Sequence, residues 1–414
     1  MYKNIFDKII YLAVLIVSPF FLVFILLYRK KNIVRIWGLT SSRIGHFAGN
    51  TEMHICSKVD NKKKFLDICY FKNKEICNKF LEKKWREKLK IFPRQIVYPL
   101  YKLIEVLSYY FLIFKDHIVF DLSLHSRDYN NYIDKYEPNI TFNEDEINKG
   151  KSLLKKFGLG ENDKFICFIV RDKKYLKHNF PEVDFSKWNY RDYNIDDFIL
   201  AAEELTKLGY FVFRMGKISE KRLNTNNNMI IDYSFSDLKS DFLDIFLGAN
   251  CEFCLSTDVG YDHIPYIFRR PLASITDPIS LMKLSSKKFL NIFSLYYSKT
   301  EKKYLTLNQI FNSNLAYFNS SQDLYDAKIK IINPGPNEIK NFVIEMVNYI
   351  KNDFKLNKVD ENLNKKFFEV YDHKIRSENF VNFFQSKANT KIKKLHGEYY
   401  GKISPSFLNR LILI

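Results

Sequence analysis

Five short apolar runs limit what this chain can fold into more than any other feature. They are KFICFIV (164–170), YFVFRM (210–215), MIIDY (229–233), CEFCLS (251–256) and PLASIT (271–276). The first is continuously apolar, as expected of a strand covered on both faces. Between the runs lie stretches of helical period. Ile195, Phe198, Ile199, Ala202, Leu205 and Leu208 recur near 3.6 residues, with Asn194 as cap and Gly209 as stop. Thr141 and Glu144 fit a capping box for an earlier helix that carries Ile147, Leu153, Leu154 and Phe157 and stops at Gly158. Ser236 opens another, with Leu238, Phe242, Phe246 and Ala249 on one side. Asn333-Pro-Gly-Pro announces a helix with Ile339, Phe342, Val343, Met346, Val347 and Ile350. Strands alternating with helices predict a doubly wound parallel α/β sheet.

Such sheets bind ligands beyond the carboxyl ends of their strands. Here those ends are Arg171-Asp172, Arg214-Met-Gly216, Asp232-Tyr233 and Ser256-Thr-Asp-Val-Gly260. The Ser256–Gly260 loop, between a strand and the short helix DHIPYIF, is expected to cradle an anion. Backbone N–H groups at a helix start carry partial positive charge, and the hydroxyls of Ser256 and Thr257 would add donors. A diphosphate is the natural guest. Arg171 directly follows a buried strand and offers a fixed fork for a phosphate, with Asp172 to orient it. Arg191 and Arg214 are weaker versions of the same idea, and Arg269 and Arg270 could add charge. A zinc reading of Cys251, Cys254 and His263 offers three ligands at most, with no second C-x-x-C. A strand is the better reading, and no metal is expected.

A first domain precedes this sheet. NIVRIWGL (32–39) reads as a strand, Gly45 and Gly49 punctuate a loop, and a helix begins near Asn50 or Thr51. DHIVFDLS (116–123) reads as a later strand. Arg43, His46, Asn50 and Glu52 share the loop, with His54 just after it. If the loop faces a cleft, Glu52 or His46 is the candidate general base for an acceptor hydroxyl. The stretch IVYPLYKLIEVLSYYFLIF (96–114) is expected to be a core helix, with contact to a membrane surface as the alternative.

Ile9 to Tyr28 holds twenty residues without a charge, long enough to cross about 30 Å of hydrocarbon. Arg29, Lys30 and Lys31 follow at once, so the heavier basic flank places the body of the chain in the cytoplasm. A membrane-inserted hairpin at Pro19 would keep it on the same side. The net charge of +18, from 65 Lys and Arg against 47 Asp and Glu, favours anionic partners. No basic block interleaved with aromatics stands out, so nucleic acid is not expected. Six cysteines form no disulfide framework, consistent with reduced thiols.

Several segments resemble a sequence-defined family of bacterial glycosyltransferases: RIGHFAGNTE, ICFIVRDKKYL, YRDYNIDDFILAAEELTKLGYFVFRMGK, IDYSFSDLKSDFLDIFLGANCEFCLSTDVG, VGYDHIPYIFRRPLA, INPGPNEIKNFVIEMV and GKISPSFL. Together they cover most of residues 33 to 414. The family often has a histidine where this chain has Ile169, and small residues where it has Asp258-Val259. The resemblance implies a GT-B-like α/β fold of two Rossmann-like domains facing a cleft, behind an N-terminal membrane helix. The implied boundaries are 1–31 for the anchor, 32–143 for an acceptor domain, 144–351 for a nucleotide-sugar domain and 352–414 for a helical extension. It implies sugar transfer from a nucleotide-sugar donor to a lipid-linked or other glycan acceptor in surface polysaccharide synthesis at the bacterial inner membrane, with no cofactor and no obligatory metal. Arg171, Ser256, Thr257 and Gly260 would hold the diphosphate. Arg214, Gly216, Asp232 and Tyr233 would face the nucleotide. The rivals are a pyruvyl or other transferase on the same scaffold, and a non-catalytic membrane scaffold.

Overall fold

The computed structural model describes residues 2–59, 63–119, 127–179, 181–182, 184–388 and 394–412. The chain divides into two compact units. The first comprises Met1–Ser126 with Pro138–Thr141, and the second comprises Arg127–Glu137 with Phe142–Ile414.

In the first unit, α1 (Tyr2–Tyr28) leads into β1 (Ile33–Leu39). A π-helical turn over His46–Asn50 then runs directly into α2 (Thr51–Val59). β2 (Phe65–Phe71), α3 (Lys79–Lys88), α4 (Arg94–Tyr110) and a 3₁₀ turn (Leu112–His117) follow. β1 and β2 pair in parallel from Ile33 opposite Phe65 to Leu39 opposite Phe71. Two differences from the sequence reading appear here. The Gly45–Gly49 stretch is helical rather than a loop. Among the described residues this unit has a two-stranded sheet, short of the full Rossmann-like domain expected. Ile118 makes an isolated parallel bridge to Ile36, and the second half of DHIVFDLS lies outside the described residues.

α4 is a core helix on one face. Val97, Tyr101 and Ile104 pack with Ile25 of α1, Tyr70 of β2 and Ile36 of β1. The Ile9–Tyr28 segment of α1 is long and apolar enough to cross a membrane, and only 11% of it is buried.

The second unit is built on a seven-stranded sheet. Its strands are β3 (Lys164–Ile169), β4 (Tyr210–Arg214), β5 (Ile230–Ile231), β6 (Cys254–Ser256), β7 (Leu272–Ile275), β8 (Phe289–Ile292) and, from the far end of the chain, β12 (Lys402–Ile403). The order is β12-β8-β7-β6-β3-β4-β5, and every pairing is parallel. The apolar runs form the buried middle, as their composition requires. A separate antiparallel sheet, β10-β9-β11, uses β9 (Leu295–Ser298), β10 (Lys303–Tyr304) and β11 (Ile329–Ile332).

Two helix starts shift. The capping box uses Asn143 and Glu146, not Thr141 and Glu144: Glu146 N donates to Asn143 Oδ1 at 2.9 Å, and Asn143 N to Glu146 Oε2 at 3.0 Å. The helix expected from Ser236 begins at Asp241, capped by Ser240. Leu238 N is held instead by the Ser236 hydroxyl at 3.1 Å, which keeps that segment in a turn.

The contacts also redraw the domain boundaries. Residues 127–137 join the second unit, where Asn131 Nδ2 donates to the carbonyls of Ser285 (3.0 Å) and Glu398 (2.9 Å). Residues 352–414 belong to the body of that unit rather than to an appended extension. Their helices Lys358–Ile375 and Glu378–Lys387 bury Phe367, Tyr371, Ile375, Phe380 and Phe384. Asn364 clamps both backbone groups of Ile403, at 3.0 and 2.8 Å.

Candidate functional site

The parallel pairing of the seven strands brings all their carboxyl ends to one rim. Arg171 follows the end of β3, Thr257 and Asp258 that of β6, and Asp277 that of β7. Arg171 N donates to Thr257 Oγ1 at 2.9 Å, so the end of β3 is stitched to the loop after β6. The 171–193 segment returns to the same place, where Tyr193 N donates to the carbonyl of Arg171 at 3.2 Å.

The Arg171 side chain is 13% exposed, and its Nε donates to Asp192 Oδ1 at 3.0 Å. Among the described residues neither Nη1 nor Nη2 makes a hydrogen bond. The terminal edge of a fixed, mostly buried guanidinium is therefore unused. Burial, and then the nearby positive charge of Arg191, lower its pKa. Those influences mark a place where an added anion is favoured.

Arg191 reaches the loop after β6. Its Nη2 donates to the carbonyl oxygen of Asp258 and lies 3.2 Å from Asp258 Oδ2. Asp258 sits at φ 55°, in the left-handed region that a short polar side chain tolerates. Lys283 Nζ donates to Asp258 Oδ1 at 2.5 Å and to Asp262 Oδ2 at 2.9 Å. Burial works to raise the pKa of Asp258, but the Lys283 and Arg191 charges outweigh it and hold the carboxyl below its usual range. Asp262, fully buried, is held low in the same way by Lys283 and His263. Lys283 is likewise shielded, and its two carboxylate partners overcome burial to raise its pKa.

The hydroxyls expected to face a ligand are turned inward. Ser256 Oγ donates to Asp262 Oδ2 at 2.8 Å, and Thr257 Oγ1 is occupied by the Arg171 amide. Both residues are buried. Their work is to hold the loop. The amides of Asp258 and of the exposed Gly260 donate to no group among the described residues. The helix after the loop, His263–Ile267, has only five residues and follows a 3₁₀ turn. The loop therefore has little helix dipole to offer, and the cations around it, Arg171, Arg191 and Lys283, are each paired with a carboxylate.

Asp277 completes the rim. It is buried, accepts from Ser294 N (3.2 Å), Ser294 Oγ (2.5 Å) and Tyr193 OH (3.4 Å), and burial pushes its carboxyl up to about 7.

The four residues expected to face a nucleotide order a neighbouring loop instead. Arg214, 3% exposed, donates to Asp232 Oδ1 at 2.9 Å and to the Lys221 carbonyl at 3.3 Å. Asp232 Oδ2 accepts from Leu223 N at 2.8 Å. The Tyr233 ring is fully buried, and its hydroxyl donates to Asp244 at 2.7 Å. Gly216, at φ 152°, has Ser219 Oγ only 2.8 Å from where a Cβ would stand. Arg269 and Arg270 are also structural. Arg269 donates to the carbonyls of Tyr136 and Glu137, and Arg270 to that of Cys251. Cys251 and Cys254 are buried, and no metal-holding cluster of three His, Cys, Asp or Glu occurs among the described residues.

Glu52 and His46 lie in the first unit. Glu52 is fully buried, and Oε1 accepts from Asn139 Nδ2 at 3.0 Å, tying residues 138–141 to α2. His46 is half-buried in the π-helical turn. His54 joins Asp67 at 2.9 Å in a buried network with Arg35 and Lys58.

Sequence reasoning missed Lys283 and Asp277. Asp277 had a signal, a strand-end carboxylate followed by proline. Lys283 had none, because its partners lie 21 and 25 residues away along the chain.

No protein-family model and no curated protein sequence matches the chain. Among solved structures, it overlaps the ADP-heptose lps heptosyltransferase II of E. coli with 14% identity and TM-score 0.43, over 77% of this chain and 99% of that one. A glycosyl transferase family 9 structure from Veillonella parvula overlaps with 11% identity and TM-score 0.38, over 72% and 96%. E. coli heptosyltransferase WaaC with ADP-2-deoxy-2-fluoro heptose gives 11% and 0.29, over 67% and 96%. These neighbours are glycosyltransferases, and overlaps at this level are a resemblance in outline only.

Proposed function

We propose that this chain is a membrane-attached glycosyltransferase that takes its sugar from a nucleotide-sugar donor whose diphosphate lies at the rim of the seven-stranded sheet. One observation carries the reading: the unused Nη edge of Arg171, fixed by Asp192 at a strand end whose backbone is bonded to Thr257 of the loop after β6. Two parallel N–H groups on that edge match two phosphate oxygens.

In sugar transfer the acceptor oxygen bonds to the anomeric carbon as the bond from that carbon to the diphosphate oxygen breaks, and negative charge grows on the departing diphosphate. A guanidinium already in place and largely buried stabilises that charge without reorganising. Removing one such donor typically costs on the order of 3 kcal/mol of barrier. The Asp258 carboxylate does not oppose the leaving group, because Lys283 and Arg191 neutralise it. The acceptor hydroxyl must lose a proton. Glu52 or His46, the two groups expected in that role, would accept it. The Ile9–Tyr28 helix would tether the body at the cytoplasmic face of the inner membrane and bring it to a lipid-linked glycan acceptor.

A donor panel tests this reading. Purified full-length protein is incubated with UDP-, ADP-, GDP- and dTDP-sugars, and separately with phosphoenolpyruvate. Slow release of nucleoside diphosphate from one sugar donor is expected. Consumption of phosphoenolpyruvate would instead identify a pyruvyl transferase. No turnover, with no thermal stabilisation by any nucleoside diphosphate, would identify a non-catalytic scaffold.

A further inference from the structure

We infer that the corner Tyr109–Ile113, where α4 gives way to the 3₁₀ turn, is a second membrane-contacting element seated in the interfacial layer of the bilayer that α1 enters. This rests on the reading of α1 as a membrane helix. α4 packs against the last third of α1, where Phe21, Leu22, Ile25 and Leu26 meet Val97, Tyr101 and Ile104. Phe21 lies seven residues before Tyr28, about 10 Å along the helix. The part of α1 ahead of Phe21, from Ile9 to Phe20, is about 18 Å long, well short of the roughly 30 Å hydrocarbon layer. α1 can therefore cross only if its α4-covered part also lies at membrane depth, which brings α4 to the membrane boundary.

A second observation fixes the corner at that boundary. Arg29, the first charge after the apolar run, donates from Nη1 to the carbonyl of Ile113 at 3.0 Å and pairs with Asp116. The corner is tied to the residue where α1 leaves the apolar layer. Its side chains suit that depth. Tyr109 is 74% exposed, Tyr110 77% and Leu112 76%, with Phe111 and Ile113 also exposed. Tyrosine rings concentrate where one end can be apolar and the other wet. Five consecutive exposed apolar or aromatic side chains are otherwise a liability on a soluble surface. Exposed Lys30, Lys31 and Lys115 lie within two or three residues of the tie and suit acidic headgroups. The occupant of this surface is thus a phospholipid bilayer with anionic lipid.

Two single tryptophan variants of the full chain, Leu112→Trp and Phe20→Trp, test the inference. Each is reconstituted in vesicles of phosphatidylcholine and phosphatidylglycerol with and without brominated acyl chains, and the parent fluorescence is subtracted. Circular dichroism checks folding; both sites are exposed. The inference predicts strong bromine quenching at positions 112 and 20. Quenching at 20 but not at 112 would overturn it while leaving α1 in the bilayer. Quenching at neither would remove the membrane reading of α1 itself. A tryptophan at 112 shielded from aqueous iodide yet untouched by brominated lipid would assign the corner to a protein partner or a second copy, and would also overturn the inference.

Discussion

Lys283 is the residue on which the rim depends most. It faces two carboxylates, Asp258 and Asp262, in a place where water screens little. Removing one partner of a buried ion pair leaves the other charge uncompensated, at a cost of about 3–5 kcal/mol. Lys283→Met is expected to lose stability of that order in urea unfolding, and adding Asp258→Asn with Asp262→Asn is expected to restore much of it. A Lys283→Met protein as stable as the parent would contradict the pairing. Asp277 gives a pH signature. Its carboxyl titrates near 7 in the folded chain, against about 3.9 when unfolded. Between those values the native state holds a proton that the unfolded state has lost. Its contribution is full below about pH 4 and falls, by about 1.4 kcal/mol per pH unit, as the pH rises towards 7. Asp277→Asn is expected to remove that fall, so the variant gains on the parent as pH rises through this window. Parallel pH profiles for the two proteins would refute the assignment. At this scale the sequence was partly legible. Arg171 was readable because it follows a buried strand. The inward turn of Ser256 and Thr257 was not, because Asp262 and the Arg171 amide claim their oxygens only once the chain is folded.

Among the elements, the loop after β4 shows how a strand end can look like a ligand site and serve structure. Arg214, Asp232 and Leu223 close it, and Gly216 lets it pass beside Ser219 and Ser234. Gly216→Ala would force a side chain into a backbone region it avoids and against Ser219 Oγ. A loss of about 1–3 kcal/mol is expected from thermal unfolding. Gly209→Ala, with open space around its φ of 86°, is expected to cost less. Equal losses would show that the Ser219 contact is unimportant. The strands were legible from their apolar runs, because burial on both faces leaves a compositional mark. Helix starts were less so. Ser236 and Ser240 are both plausible caps in the sequence, and the Ser236 hydroxyl holding Leu238 N decides between them. The π-helical turn at His46 could not be read, since two glycines there suggest a loop.

On the scale of the whole molecule, the chain is two units, each with its own core, and its far end returns to complete the larger one. The doubly wound second unit was foreseeable from the alternation of strand and helix. The attachment of residues 127–137 and 402–403 was not, because it rests on side-chain clamps by Asn131 and Asn364 that leave no periodic trace. The second unit carries the central claim, that Arg171 offers its free edge to a diphosphate. Calorimetric titration of UDP, ADP and GDP into the parent and into Arg171→Ala tests it most directly. Charge-assisted hydrogen bonds are worth about 1.5–3 kcal/mol, so the nucleotide that binds the parent is expected to bind the variant roughly 10- to 150-fold more weakly, with circular dichroism showing that the variant keeps its fold. Equal affinity in the two proteins would contradict the account.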